Sequence, residues 1–251
     1  MRPETDQTAF DWICSDRAEK QSGPAPKAVF VSNLIPPIFK TYVEVLHWTD
    51  ACYSDIDNPL SPSENSILKI TPCEPLRSFI QHRRAQSLPN RIRWSELAEL
   101  LGVPFVPGIC SEWFRNKLSD PWCLSRFLCG SIEGRKEECA ALVSSLKQAD
   151  GNDEVFFRFS DIQFYVPALQ NQPQLFTGHL DEVCGFQQSR HLEFEYWWPA
   201  DRCWCVCSND DLLVTLVAGD ERLASNLLAN DILECIQVTP HTRVDPFAPI
   251  P

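Results

Sequence analysis

Between Trp197 and Val238 the hydrophobic pattern changes period twice, and this stretch dictates most of what the chain can fold into. From Cys203 to Cys207, small sulfur residues alternate with Trp204 and Val206. A two-residue period marks a strand and predicts Cys203, Cys205 and Cys207 on one face. Ser208-Asn209-Asp210-Asp211 reads as a turn, because short polar side chains bond their own backbone. Leu212 to Val217 is aliphatic and β-branched, the composition of a second strand, and a hairpin is the simplest pairing. Gly219-Asp220-Glu221 then opens a helix with Leu223, Leu227 and Leu228 on one side. Its acidic pair suits the positive N-terminal end. Leu233 to Val238 is a third strand. The unit strand, turn, strand, helix, strand implies an α+β fold: a single domain with a mixed or mainly antiparallel sheet and flanking helices.

The rest of the chain extends this plan. Thr41 to His47 predicts a strand with Tyr42, Glu44 and Leu46 facing one way and Val43, Val45 and His47 the other. Trp94 to Leu101 predicts a helix stopped by Gly102, and Ser111 to Asn116 a short one. Ser119-Asp120-Pro121 predicts another helix start. Glu133 to Gln148 predicts the longest helix, with Cys139, Leu142, Val143 and Leu146 on its apolar face. Strands are expected at Val155–Phe159, at Gln163–Val166 and around Leu175. Residues 1–26 read as a polar tail and linker, although Phe10, Trp12 and Ile13 offer apolar groups for docking. Residues 27–239 form the expected domain, and 240–251 a Pro-rich tail. Within the domain, residues 50–90 hold five prolines and read as a long loop with a helical piece near Leu76–Arg84.

The chain carries 22 basic and 34 acidic residues, a formal charge of −12. Such a balance disfavours nucleic acid or an anionic membrane as the main partner, since both need a basic face, and suits a basic protein. The first residues have no apolar signal core, and no apolar run approaches a membrane span, so a cytoplasmic location is expected. In that compartment the twelve cysteines are expected as reduced, mostly buried thiols; in a secreted chain they would read as disulfides.

Three runs carry a resemblance. Trp-Trp-Pro-x-Asp-Arg-x-Trp-x-Val from Trp197, with Asp-Leu-x-x-Thr-x-Val-x-Gly from Asp211, is the first; Tyr42–His47 and Ile92–Ala98 are the others. In these the chain resembles a group of uncharacterised bacterial proteins frequent in actinobacteria. It departs from the group's pattern at Glu44, where a basic residue is usual, and at Trp48, where proline is usual. The resemblance implies a shared fold and carries no activity.

Motifs of known chemistry are absent. There is no Gly-x-Ser-x-Gly elbow, no phosphate-binding Gly-rich loop and no Cys-x-x-Cys, so neither a cofactor nor a metal is expected. The alternating cysteines are about 6.5–7 Å apart along a strand with parallel thiols, a poor metal cage. Cys110 and Cys129 remain as thiols able to meet a distant histidine. A basic island at Arg77, His82, Arg83, Arg84, Arg91 and Arg93 reads as a solvated loop. Asp201 and Arg202 stand beside Trp197, Trp198 and Trp204 and read as a structural ion pair that pins a loop against the core. The alternative is a recognition element in which a guanidinium stacked on indole is held by the carboxylate. The leading expectation is a non-enzymatic protein-binding domain of the kind that neutralises a partner, as acidic immunity proteins do. The alternative is an enzyme or small-ligand binder with Tyr42, His47, Trp94, Asp201 and Arg202 around its pocket.

Overall fold

The computed structural model describes residues 1–16, 28–51, 74–88, 91–118, 128–130, 132–150, 154–159, 174–190, 194–209 and 214–250. Among them are eleven strands: β1 (Arg2–Pro3), β2 (Thr41–Leu46), β3 (Thr49–Ala51), β4 (Arg91–Ile92), β5 (Leu128–Gly130), β6 (Glu154–Phe159), β7 (Leu175–His179), β8 (Phe194–Pro199), β9 (Cys205–Asn209), β10 (Val214–Gly219) and β11 (Glu234–Val238). Seven helices accompany them: α1 (Asp11–Asp16), α2 (Glu74–Ala85), α3 (Trp94–Leu101), α4 (Ser111–Lys117), α5 (Ile132–Asp150), α6 (Val183–Arg190) and α7 (Glu221–Leu228). Eight strands form one antiparallel sheet in the order β1-β7-β6-β8-β9-β10-β2-β11, and β4-β3-β5 form a small second sheet. The fold is α+β, as the period changes imply.

The hairpin at the centre forms as expected, with Val217 opposite Val206 and Val214 opposite Asn209. Its first strand starts later than the period implies. Cys205 and Cys207 are buried on one face, whereas Cys203 is exposed ahead of the strand. Asp220 caps α7 by accepting from the Leu223 amide at 2.9 Å, and β11 then pairs with β2. The helix Trp94–Leu101 ends at Gly102, whose φ of 61° is the left-handed stop that glycine supplies. The helices read at Ser119–Pro121 and the strand at Gln163–Val166 lie outside the described residues.

Strand alternation splits the core in two. Val43, Val45, Phe157, Trp197, Val206 and Val217 face α5, α6 and α7. Tyr42, Tyr196, Trp198, Cys205, Cys207 and Leu216 face the opposite way, onto Trp12, Ile13, Leu34 and Ile35. A third cluster, at the Leu46 end of β2, gathers α2, α3 and α4 around Trp94 and Phe114.

Two expectations are corrected here. The chain ends are not appendages: β1 pairs with β7, Trp12 and Ile13 are buried, and Ala248 accepts from the Trp113 indole at 2.7 Å. Apolar side chains in a polar segment have nowhere else to leave water. The thiols are not all reduced either, because Cys139 on α5 and Cys184 on α6 form a disulfide. Both helices cover the same sheet face, which brings the two Cα atoms to 6.1 Å, within bonding range.

Candidate functional site

The polar groups that converge do so where β2, β9 and β10 meet the N-terminal part of α5. His47 follows β2 directly and lies on the face of Val43 and Val45, which α5 covers. Its Nδ1 is 3.1 Å from Glu138 Oε2, and its Nε2 is 2.9 Å from Thr215 Oγ1. Thr215 Oγ1 is in turn 2.7 Å from Ser208 Oγ on the neighbouring strand, where the two residues are directly paired. The Trp48 amide donates to the other Glu138 oxygen at 2.8 Å, and the Trp94 indole donates to the His47 carbonyl at 2.7 Å.

A carboxylate only accepts, so His47 Nδ1 donates to Glu138, and in the neutral imidazole Nε2 presents its lone pair. Thr215 then donates to Nε2, and its oxygen accepts from the Ser208 hydroxyl. The result is a chain from Ser208 through Thr215 to His47, with Glu138 holding the ring. Exposure varies along it: the Glu138 side chain is 4% exposed and that of His47 34%. Thr215 is 2% exposed, while Ser208 is half-buried. A carboxylate, an imidazole and a hydroxyl in this order are the parts of a nucleophile-activating relay.

Cys235 lies close by on β11, but its thiol is no competitor. Burial, then the charges of Glu234 and Glu138, push its pKa up to about 12. Cys110 is also disqualified as a nucleophile, since burial raises its pKa and its sulfur donates to the Pro246 carbonyl. Nothing is described of the Cys129 side chain. Among the described residues, no group of three His, Cys, Asp or Glu has the arrangement to hold a metal ion.

Of the five residues expected around a pocket, His47 and Trp94 come together here. Tyr42 does not join them. Period two sends it to the opposite sheet face, where its hydroxyl donates to the Pro36 carbonyl at 2.9 Å. Asp201 and Arg202 also lie elsewhere, in the turn between β8 and β9. They do not form the expected ion pair. Asp201 Oδ1 accepts from the Cys203 amide at 3.1 Å, and Arg202, at a φ of 59°, sets its guanidinium 5.2 Å from the Trp12 ring. Trp12 packs with Trp198 on one face of the sheet, whereas Trp197 and Trp204 pack on the other.

The basic island is corrected in one respect. Its first four members lie on α2, the helical piece expected near Leu76–Arg84, but Arg83 is buried rather than solvated, against Glu96 at 2.5 Å. Glu138, Thr215 and Ser208 carry no spacing motif. The one signal for Glu138 is a carboxylate on the apolar stripe of α5, four residues before Leu142; for Thr215 it is a hydroxyl inside an aliphatic strand. His47, Trp94 and Thr215 come from three separate stretches of the chain and meet at this one place. Comparison with family models, curated proteins and solved structures finds no match for the chain.

Proposed function

We propose that the protein is an enzyme of the hydroxyl-nucleophile class, with His47 as general base and Ser208 as the group that attacks an acyl carbon. The observation that supports this is the directed chain Ser208, Thr215, His47 with Glu138 behind the ring. On attack, the Ser208 proton passes to Thr215 as the Thr215 proton passes to His47. Glu138 stabilises the imidazolium, which returns a proton through Thr215 to the leaving group as the acyl–leaving-group bond breaks. Water then attacks the acyl carbon, gives its proton to His47 by the same route, and releases the acid from Ser208 Oγ, which regains its proton. Ser208 is the end that meets substrate, because Thr215 is shut away from solvent. Ester or amide hydrolysis is the reaction class that uses these parts.

A fluorophosphonate probe, which modifies activated hydroxyls, tests the reading directly. Ser208 should be labelled in the native protein and identified by peptide mass mapping. Labelling should fall by about a hundredfold or more in His47→Ala and by about tenfold in Glu138→Gln, with each variant's melt confirming that it is folded. A folded wild type with unmodified Ser208, or equal labelling in His47→Ala, overturns it.

The formal charge of −12 supports a second reading, a surface that captures a basic protein without chemistry. Under that reading Ser208 stays unlabelled, and binding of a basic protein weakens steeply as salt rises.

A further inference from the structure

We infer that the substrate of the His47 site carries an oxyanion, a carboxylate or a phosphate, and that Arg93 receives it. The word substrate rests on the acid–base reading above; the anion site rests on the surroundings of Arg93 itself.

Three guanidinium groups gather at this end of the molecule, and two of them are compensated. Arg83 bonds Glu96 at 2.5 Å and the Arg91 carbonyl at 2.6 Å. Arg91 bonds Glu137 at 2.6 Å and lies 4.3 Å over the Trp48 ring. Arg93 is different: its guanidinium donates to the Asp231 carbonyl and sits 5.7 Å from the same Trp48 ring. Two carboxylates near it are committed elsewhere. Glu96 accepts from Arg83 and from the Arg93 backbone amide, and Glu234 accepts from the Trp94 and Ser95 amides. Among the described residues no carboxylate bonds the Arg93 guanidinium, in a chain where 34 acidic residues outnumber 22 basic ones. A guanidinium offers five donors in a planar fork matched to carboxylate and phosphate, and one carbonyl leaves most of that fork unused.

The location ties this cation to the relay. Trp48, whose ring both arginines share, is the residue after His47, and its amide holds Glu138. Trp94, the residue after Arg93, holds the His47 carbonyl. Arg93 and His47 are therefore fixed to the same two tryptophans. Arg93 is half-buried, and the indole beside it displaces part of its hydration, which strengthens its attraction for an anion.

The test compares para-nitrophenyl esters of butyrate, succinate and phosphonopropionate on the full-length protein and on Arg93→Gln and Arg93→Lys. The wild type should turn over one or both charged esters with a kcat/KM about tenfold or more above the neutral ester. That ratio should fall to about one in Arg93→Gln, and in Arg93→Lys it should fall part-way, because the charge remains and the fork is lost. Succinate and phosphonopropionate arms identify which oxyanion is preferred. Calorimetric binding of monomethyl succinate and methyl phosphonopropionate, lost in Arg93→Gln, reads the anion site without turnover. No preference for charge in the wild type, or a preference that persists in Arg93→Gln, overturns the inference. Binding without turnover of any ester leaves the anion site standing and removes the catalytic reading; turnover without charge preference does the reverse.

Discussion

Three buried glutamates at the Leu46 end of the sheet differ in how their charge is satisfied. Glu234 accepts from the Trp94 and Ser95 amides at 2.6 and 2.8 Å, at the N-terminal end of α3, where a negative charge is favoured. Glu138 accepts from the Trp48 amide and holds His47. Glu44 has the Gly108 amide at 3.0 Å as its partner among the described residues, and it is 1% exposed. Burial outweighs that one hydrogen bond and raises its pKa from 4.5 to about 7. A carboxyl whose folded pKa lies above its unfolded value binds more protons when folded. Its cost therefore appears as pH rises from about 4.5 through about 7. Glu44→Gln, which keeps the shape and removes the charge, should stabilise the fold above pH 7 by on the order of 2–3 kcal/mol and have little effect below pH 5. Denaturant midpoints of both proteins across that range measure it, and an unchanged difference with pH would show that Glu44 does not titrate there. The alternation of β2 makes the inward direction of Glu44 legible in the sequence. The number of its partners is not, because Gly108 lies 64 residues away.

At the scale of elements, those with local signals were legible and those made by distant contacts were not. Trp94–Leu101 and Gly102 announce a helix and its stop within nine residues, and the structure places both there. By contrast, β1 is two residues long, and only its pairing with β7 makes it a strand. The relay has the same problem: His47 and Glu138 are 91 residues apart, and Ser208 and Thr215 share a hairpin with no motif around them. The Cys139–Cys184 link, closing 45 residues, is another such contact, and it adjoins Glu138 on α5. Cross-linking a loop of this length limits the unfolded chain and stabilises the fold by about 2–4 kcal/mol. Treatment with a dithiol should lower the denaturation midpoint accordingly, and Cys139→Ser should do the same without reductant. Equal midpoints for oxidised and reduced protein would contradict that contribution.

The whole molecule is organised by one sheet whose two faces are closed by different parts of the chain. Helices α5, α6 and α7 close the relay's face, and segments near both chain ends close the other. On that second face Phe10 lies 5.2 Å from the Tyr196 ring, and Trp12 6.4 Å from the Trp198 ring, both of them buried aromatics of β8. Arg158 lies over Phe10 at 4.2 Å and Arg202 over Trp12 at 5.2 Å, so charged groups close the rim of the same contact. Composition marks the first 26 residues as a tail because polar side chains dominate it; the docking depends on three apolar groups that a count dilutes. Removing residues 1–16 should therefore cost far more than trimming a tail. Exposure of Trp12 and Ile13 in the unfolded state alone accounts for about 3–6 kcal/mol of lost burial, and the vacated face leaves Tyr196 and Trp198 in water. The deletion should melt well below the full-length protein and bind a hydrophobic dye that the intact chain excludes. Since the relay lies on the opposite face, a surviving folded fraction should still be labelled at Ser208. A cooperative melt within a few degrees of the full-length protein, with no dye binding, would show that the second face closes without its N-terminal cover.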